Sequence, residues 1–177
     1  MTAHPILAFV ARALKKVNLD AVLIGNAGAA LHGVPVTTID LDFFIRRTPA
    51  NVQKLKALAI DIDAVMFRPY YPVSGLFRLM RNPDNLQLDF MTAIHGPKSF
   101  EGVRSRSTEI EVGGQELHVA SLADIVASKR AANRPRDLAV LAILENALDE
   151  NSGKEHEEKA ARPAKPGRGA RGPQKRK

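Results

Sequence analysis

Apolar positions along this chain change their spacing several times, and each change marks an element. From Pro5 to about Leu19, the residues Ile6, Phe9, Val10, Leu14 and Val17 recur at helical spacing and predict an amphipathic helix. "DAVLIG" (20–25) is a short apolar run ended by glycine, the pattern of a buried strand. "NAGAALHG" (26–33) is Ala-rich and closes on Gly33, which predicts one or two helical turns with a glycine cap. "TTIDLDFFIRR" (37–47) reads as a strand. "TPANVQKLKALA" (48–59) opens with Thr48 and Pro49, an N-cap and first-turn pair, and reads as a helix. "DAVMF", "LFRLMR" and "LQLDFMT" are strand candidates separated by Pro, Gly and Asn. Residues 107–121 predict a hairpin around Gly113-Gly114. Ser121 caps "LADIVASKRAA", and a last helix is expected from about Arg134 to Leu148.

This order, with no internal repeat, predicts an α/β (α+β) domain. Its sheet must be mixed, because the hairpin forces antiparallel pairing, and helices should flank it. A length of 177 residues with 45% hydrophobic content suits one domain with a real core plus an appendage. The expected division is a domain over 1–150 and a basic tail over 151–177. The tail holds nine Lys/Arg and three Glu, contributing +6 of the net charge of +7, and it contains no Val, Ile, Leu, Phe or Tyr. Such a segment cannot bury enough apolar surface to offset chain entropy, so disorder is expected. Its basic residues suit either a salt-sensitive phosphate-binding arm or a solubilising appendage. Cysteine is absent, which excludes disulfides and thiolate metal sites. No apolar run approaches the ~18 residues of a membrane span. The first helix is interrupted by charge after Arg12 and lacks a cleavage site. A soluble, cytoplasmic protein with no membrane partner is the expectation.

The candidate chemistry starts with carboxylates inside apolar strands, where unpaired charge is costly. In "IDLDFFI" side chains alternate faces, so Asp40 and Asp42 point the same way, about 7 Å apart along the strand. Two such groups repel unless a cation joins them or one is protonated. Their oxygens suit Mg²⁺ or Mn²⁺. Asp89, between Leu88 and Phe90, is a third candidate, and if its strand lies beside residues 39–45, the three converge as a two-metal centre requires. The Gly25-Asn26 turn follows a strand and opens a helical stretch, so its backbone N–H groups match phosphate oxygens. A second Asp-x-Asp, Asp61 and Asp63, sits where a helix gives way to a strand and reads as turn or cap chemistry.

Together these residues resemble the nucleotidyltransferase fold of the DNA polymerase β superfamily: a glycine turn, a short spacer, then Asp, apolar, Asp. "VASLADIVASKRAANRPRDLAVLAILE" is similar to the helical segment of minimal nucleotidyltransferases, including the AbiEii/AbiGii-type toxin proteins, through Lys129, Arg134 and Asp137. The resemblance covers about residues 18–148. It implies that Asp40 and Asp42 bind divalent metal and that Asp89 orients or deprotonates the acceptor hydroxyl. Gly25 and Asn26 would cradle phosphate, and Lys129 would reach the triphosphate. It implies an NTP substrate, a hydroxyl acceptor on RNA, a protein or a small molecule, and a toxin–antitoxin role with an antitoxin partner. The rival expectation is a catalytically inactive module of the same fold, binding nucleic acid or a protein.

Three positions depart from the family pattern. Asn26 stands where Gly or Ser is usual, Val36 where Arg is frequent, and Val140 where a further Asp is frequent. On residue chemistry alone, Lys129 is a helix-surface lysine, and Arg134 and Asp137 at i, i+3 suit an ion pair with each other. The five histidines, His4, His32, His95, His118 and His156, have no zinc spacing. His32 reads as a helix-end residue, and Tyr70 and Tyr71, beside Pro69 and Pro72, read as loop residues, with stacking on a base as the alternative.

Overall fold

A computed structural model describes residues 3–68, 75–97 and 99–161. Tyr70 and Tyr71 and the tail beyond Ala161 lie outside the described residues. Among the described residues, six α-helices and seven strands follow one another as α1 (Ala3–Lys16), β1 (Ala21–Ile24), α2 (Gly25–Leu31), β2 (Asp40–Ile45), α3 (Pro49–Asp61), β3 (Val65–Phe67), β4 (Leu76–Arg81), β5 (Leu86–Met91), α4 (Phe100–Arg106), β6 (Thr108–Val112), β7 (Gln115–Val119), α5 (Leu122–Ala132) and α6 (Pro135–Ala161).

The strands form one sheet in the order β3-β4-β5-β2-β1-β7-β6. It is mixed: β2 pairs with β5 and β1 with β7 in parallel, and the remaining neighbours are antiparallel. The β6–β7 hairpin turns on Gly113 and Gly114, both at positive φ, as a two-residue loop between twisted strands requires.

Side-chain alternation divides the sheet into two faces. Leu23, Phe43, Leu79, Leu88 and Phe90 are fully buried on one face, beneath α1 and α3. Phe43 and Phe90 stack there with ring centroids 5.2 Å apart. Val22, Ile24 and Phe44 point the other way into a second core with α2, α4, α5 and α6, where Phe44 meets Phe100 edge-on. Each buried aromatic of this kind contributes about 1.5–3 kcal/mol. Asp40 and Asp42 share the face of Phe44, because all three are separated by two positions along β2.

Local signals behave as their chemistry requires. Thr48 Oγ1 accepts from the Asn51 N–H at 3.1 Å, and Ser121 Oγ accepts from the Asp124 N–H at 3.2 Å, so both predicted N-caps form. His32 ends α2 and its ring nitrogen lies 2.8 Å from the Ala120 carbonyl. Two differences stand out. Helix α4 was not expected from the pattern; its seven residues are too few to show a helical period, although Ser99 caps it through the Gly102 N–H. Helix α6 continues to Ala161, past Leu148 where its apolar positions end.

Candidate active site

The site forms where β2 and β5 run side by side. Their parallel register sets Asp40 opposite Gln87 and Asp42 opposite Asp89. The carboxylates of Asp40, Asp42 and Asp89 each offer an oxygen within 4.8 Å of the others. Asp40 and Asp42 are half-buried and Asp89 is buried. The alternation in β2 supplies two of these groups, and the strand pairing supplies the third.

Gly25 explains itself at this point. It begins α2 at φ +66°, and a Cβ there would collide with Asp42 Oδ2. The glycine therefore allows both the left-handed turn and the close approach of a carboxylate to the backbone. The unusual dihedral belongs to Gly25; Asn26 sits within the helix and needs none. The Asn26 amide donates to the Thr37 carbonyl at 3.2 Å, tying α2 to the segment that leads into β2. Its Oδ1 is buried without a hydrogen-bond partner among the described residues.

The three carboxylates have different surroundings. Burial, and then the charges of Asp40 and Asp89, push the Asp42 carboxyl up to about 7, against the opposing charges of Lys129 and Arg136. Asp40 accepts from Thr38 Oγ1 at 2.8 Å. Asp89 is gripped by Arg78 across β4–β5, with Nε and Nη2 each donating at 2.7 Å, and Gln87 Nε2 donates to it at 3.2 Å.

The triad opens into a cavity of about 680 Å³ bounded by α2, the segment before β2, β4, α5 and the start of α6. Lys129 lines it and bonds Asp137 at 3.1 Å, with both side chains largely buried. This corrects the expected Arg134–Asp137 pair. The left-handed turn at Asn133 folds the first turn of α6 back on the last turn of α5, so Asp137 meets Lys129. Arg134 is exposed, and its carbonyl accepts from the N–H groups of Asp137 and Leu138. Asp124 also lines the cavity but is held by Arg106 at 2.8 and 3.0 Å. Val36 and Val140 pack partly buried against the second core. Asp61 pairs with Lys16 at the end of α3, and Asp63 occupies a left-handed turn, so the second Asp-x-Asp stays outside the cavity.

Among the charged residues of the cavity, Arg78, Asp124 and Arg136 were not singled out from the sequence. Arg78 carried a usable signal: a charge between Phe77 and Leu79 in an apolar strand, complementary to Asp89. Arg136, exposed at the start of α6, carried none.

No protein-family model matches the sequence, and comparison with curated proteins finds no match. Solved structures do match. ANT(2″)-Ia in complex with adenylyl-2″-tobramycin aligns over 91% of this chain and 97% of its own, with a TM-score of 0.61 at 15% identity. The lincosamide antibiotic adenylyltransferase LnuA, bound to lincomycin, aligns over 80% and 95%, with a TM-score of 0.59 at 12% identity. A Thermotoga maritima protein taken to be a nucleotidyltransferase aligns over 82% and 92%, with a TM-score of 0.55 at 17% identity. The chain has the nucleotidyltransferase fold, built on an α/β mixed sheet. The narrower likeness to AbiEii/AbiGii-type proteins rests on the sequence motifs.

Proposed function

We propose that the protein is a Mg²⁺-dependent nucleotidyltransferase, moving a nucleoside monophosphate from an NTP to a hydroxyl on RNA, a protein or a small molecule. The observation that carries this reading is the convergence of Asp40, Asp42 and Asp89 within 4.8 Å beside the Gly25 turn. The donor set fits a hard divalent cation: three carboxylates, one of them with its ionisation opposed by burial and by the other two. When bound, Mg²⁺ (or Mn²⁺) would polarise phosphate oxygens and lower the pKa of a hydroxyl.

The chain's own residues would do the rest. Asp40 and Asp42 hold the cation. Asp89, with both oxygens fixed by Arg78, keeps free lone pairs to orient the acceptor O–H and take its proton. The acceptor oxygen forms a bond to the α-phosphorus, the bond to the β-phosphate oxygen breaks, and pyrophosphate leaves. In this reading the backbone of Gly25 and Asn26, with Lys129, receives the phosphates. In this reading residues 1–150 are the catalytic domain and 151–177 an appendage. A place in a toxin–antitoxin pair, with an antitoxin partner, rests on the motif likeness.

The packing of Val36 into the second core favours a second reading, since it leaves no cation at that position to meet a nucleotide. That reading is a non-catalytic module of the same fold. Incubation with each labelled NTP, Mg²⁺ and total RNA or lysate separates the two. A labelled product that disappears in Asp42→Asn supports the enzyme. Binding to RNA with no labelled product from any NTP supports the module.

A further inference from the structure

Only one side of α6 is covered. Val140, Leu141, Leu144, Ala147 and Leu148 pack into the second core. On the other side Leu138 is 48% exposed and Ile143 42%, and Ala139, Ala142 and Asn146 are exposed with them. Steps of three and four residues join these positions into one stripe along the helix. The stripe ends in opposite charges: Arg134 and Arg136 at its start, Asp149 and Glu150 at its finish, all exposed. Among the described residues none of these four is in a salt bridge. The helix then runs on to Ala161, past the last residue it gives to the core. Helices of this kind owe most of their stability to packing, and here the chain itself supplies none for the exposed stripe.

We infer that this stripe is the interface of a homodimer, in which α6 pairs antiparallel with α6 of a second copy about a two-fold axis near Ala142. Charge decides the occupant. At about 100° of turn per residue, Arg134 and Asp149 lie on one edge of the stripe and Arg136 and Glu150 on the other. A two-fold axis there brings like edge to like edge with the helices reversed. Arg134 of each copy then stands level with Asp149 of the other, and Arg136 with Glu150, to within about 3 Å at 1.5 Å of rise per residue. Ala142 and Ile143 meet their own counterparts at the centre, where alanine lets the helices come close. A parallel pair would set arginine against arginine and carboxylate against carboxylate. The antiparallel second copy carries the matching charges by symmetry. In this dimer, α6 beyond residue 150 passes along the other copy's α5–α6 junction, where Arg134 and Arg136 line the cavity. Each cavity is thus bordered by the other subunit, whatever reaction it performs. A contact built on one helix pair is small, so monomer and dimer should exchange at concentrations on the order of micromolar.

Analytical ultracentrifugation of the full chain over a range of protein and salt concentrations tests this. The wild type should dimerise, and more weakly as salt rises, because the ion pairs lie at the exposed edges. Ile143→Glu should leave a monomer with an unchanged far-ultraviolet circular dichroism spectrum. Asp149→Arg with Glu150→Arg should weaken the dimer on the order of tenfold. Adding Arg134→Asp and Arg136→Glu to that variant should restore it, since the reversed charges match again. The chain has no cysteine, so Ala142→Cys should oxidise to a covalent dimer across the two-fold axis. A wild type that stays monomeric throughout the micromolar range overturns the inference. A dimer that survives Ile143→Glu, or that Phe67→Ala splits instead, uses another face and overturns it as well. A monomer that binds a different protein through Ile143 gives the stripe to that partner, and the homodimer fails.

Discussion

At the residue scale, the site stores an unfavourable arrangement that a cation would relieve. The Asp42 carboxyl is raised from its ordinary value to about 7, first by burial and then by its acidic neighbours. A carboxyl raised on folding binds more protons in the native than in the unfolded state, so stability falls as pH rises. The window runs from about 4, where the unfolded group ionises, to about 7. Metal-free protein should therefore lose melting temperature across that range, and Mg²⁺ should restore it at the upper end. Asp42→Asn should melt higher than wild type above pH 7 without metal, lose the response to Mg²⁺ and lose transfer. Thermal scans at several pH values, with and without Mg²⁺, check all three. Gly25→Ala should fail differently. It strains a backbone at φ +66° and displaces the Asp42 carboxylate, costing about 1–2 kcal/mol or more together with metal response.

At the scale of elements, the Arg78–Asp89 pair joins β4 to β5 and fixes the third carboxylate. Removing one partner of a buried pair leaves an uncompensated charge, at about 3–5 kcal/mol. The Arg78 side chain is 33% exposed, so screening lowers the expected cost of Arg78→Leu to about 2–3 kcal/mol. Chemical denaturation measures it, and Arg78→Leu with Asp89→Asn should recover part of the loss. The same logic joins α5 to α6 through Lys129 and Asp137, which are similarly enclosed. Lys129→Met should therefore lower stability as well as nucleotide affinity. A loss of nucleotide affinity alone would mean that Asp137 finds another partner.

At the scale of the whole molecule, charge and core are separated along the chain. Most of the net charge of +7 belongs to residues 151–177, which contribute no Val, Ile, Leu, Phe or Tyr to any core. Deleting residues 162–177 should leave the melting temperature nearly unchanged. If the acceptor is RNA, the deletion should also reduce affinity and flatten its dependence on salt, as loss of Lys/Arg–phosphate contacts does. Binding measured at several salt concentrations with both forms decides it. Among the described residues no helix is long and apolar enough to cross a membrane.

The sequence by itself determined whatever depends on neighbours along the chain. Period-two alternation put Asp40 and Asp42 on one face of a strand. Gly113-Gly114 made the hairpin, and Thr48 and Ser121 started their helices. A carboxylate inside "LQLDFMT" marked Asp89 as unusual, because burying charge is costly wherever it occurs. Only the tertiary structure decided that β5 lies parallel to β2 with Asp89 level with Asp42, and that Arg78 grips Asp89 from β4. It alone turned Lys129 toward Asp137, and it alone left Leu138 and Ile143 of α6 uncovered. Strand order and register are chosen by the packing of two whole faces against six helices. That choice is a sum over distant residues, so no local spacing along the chain records it.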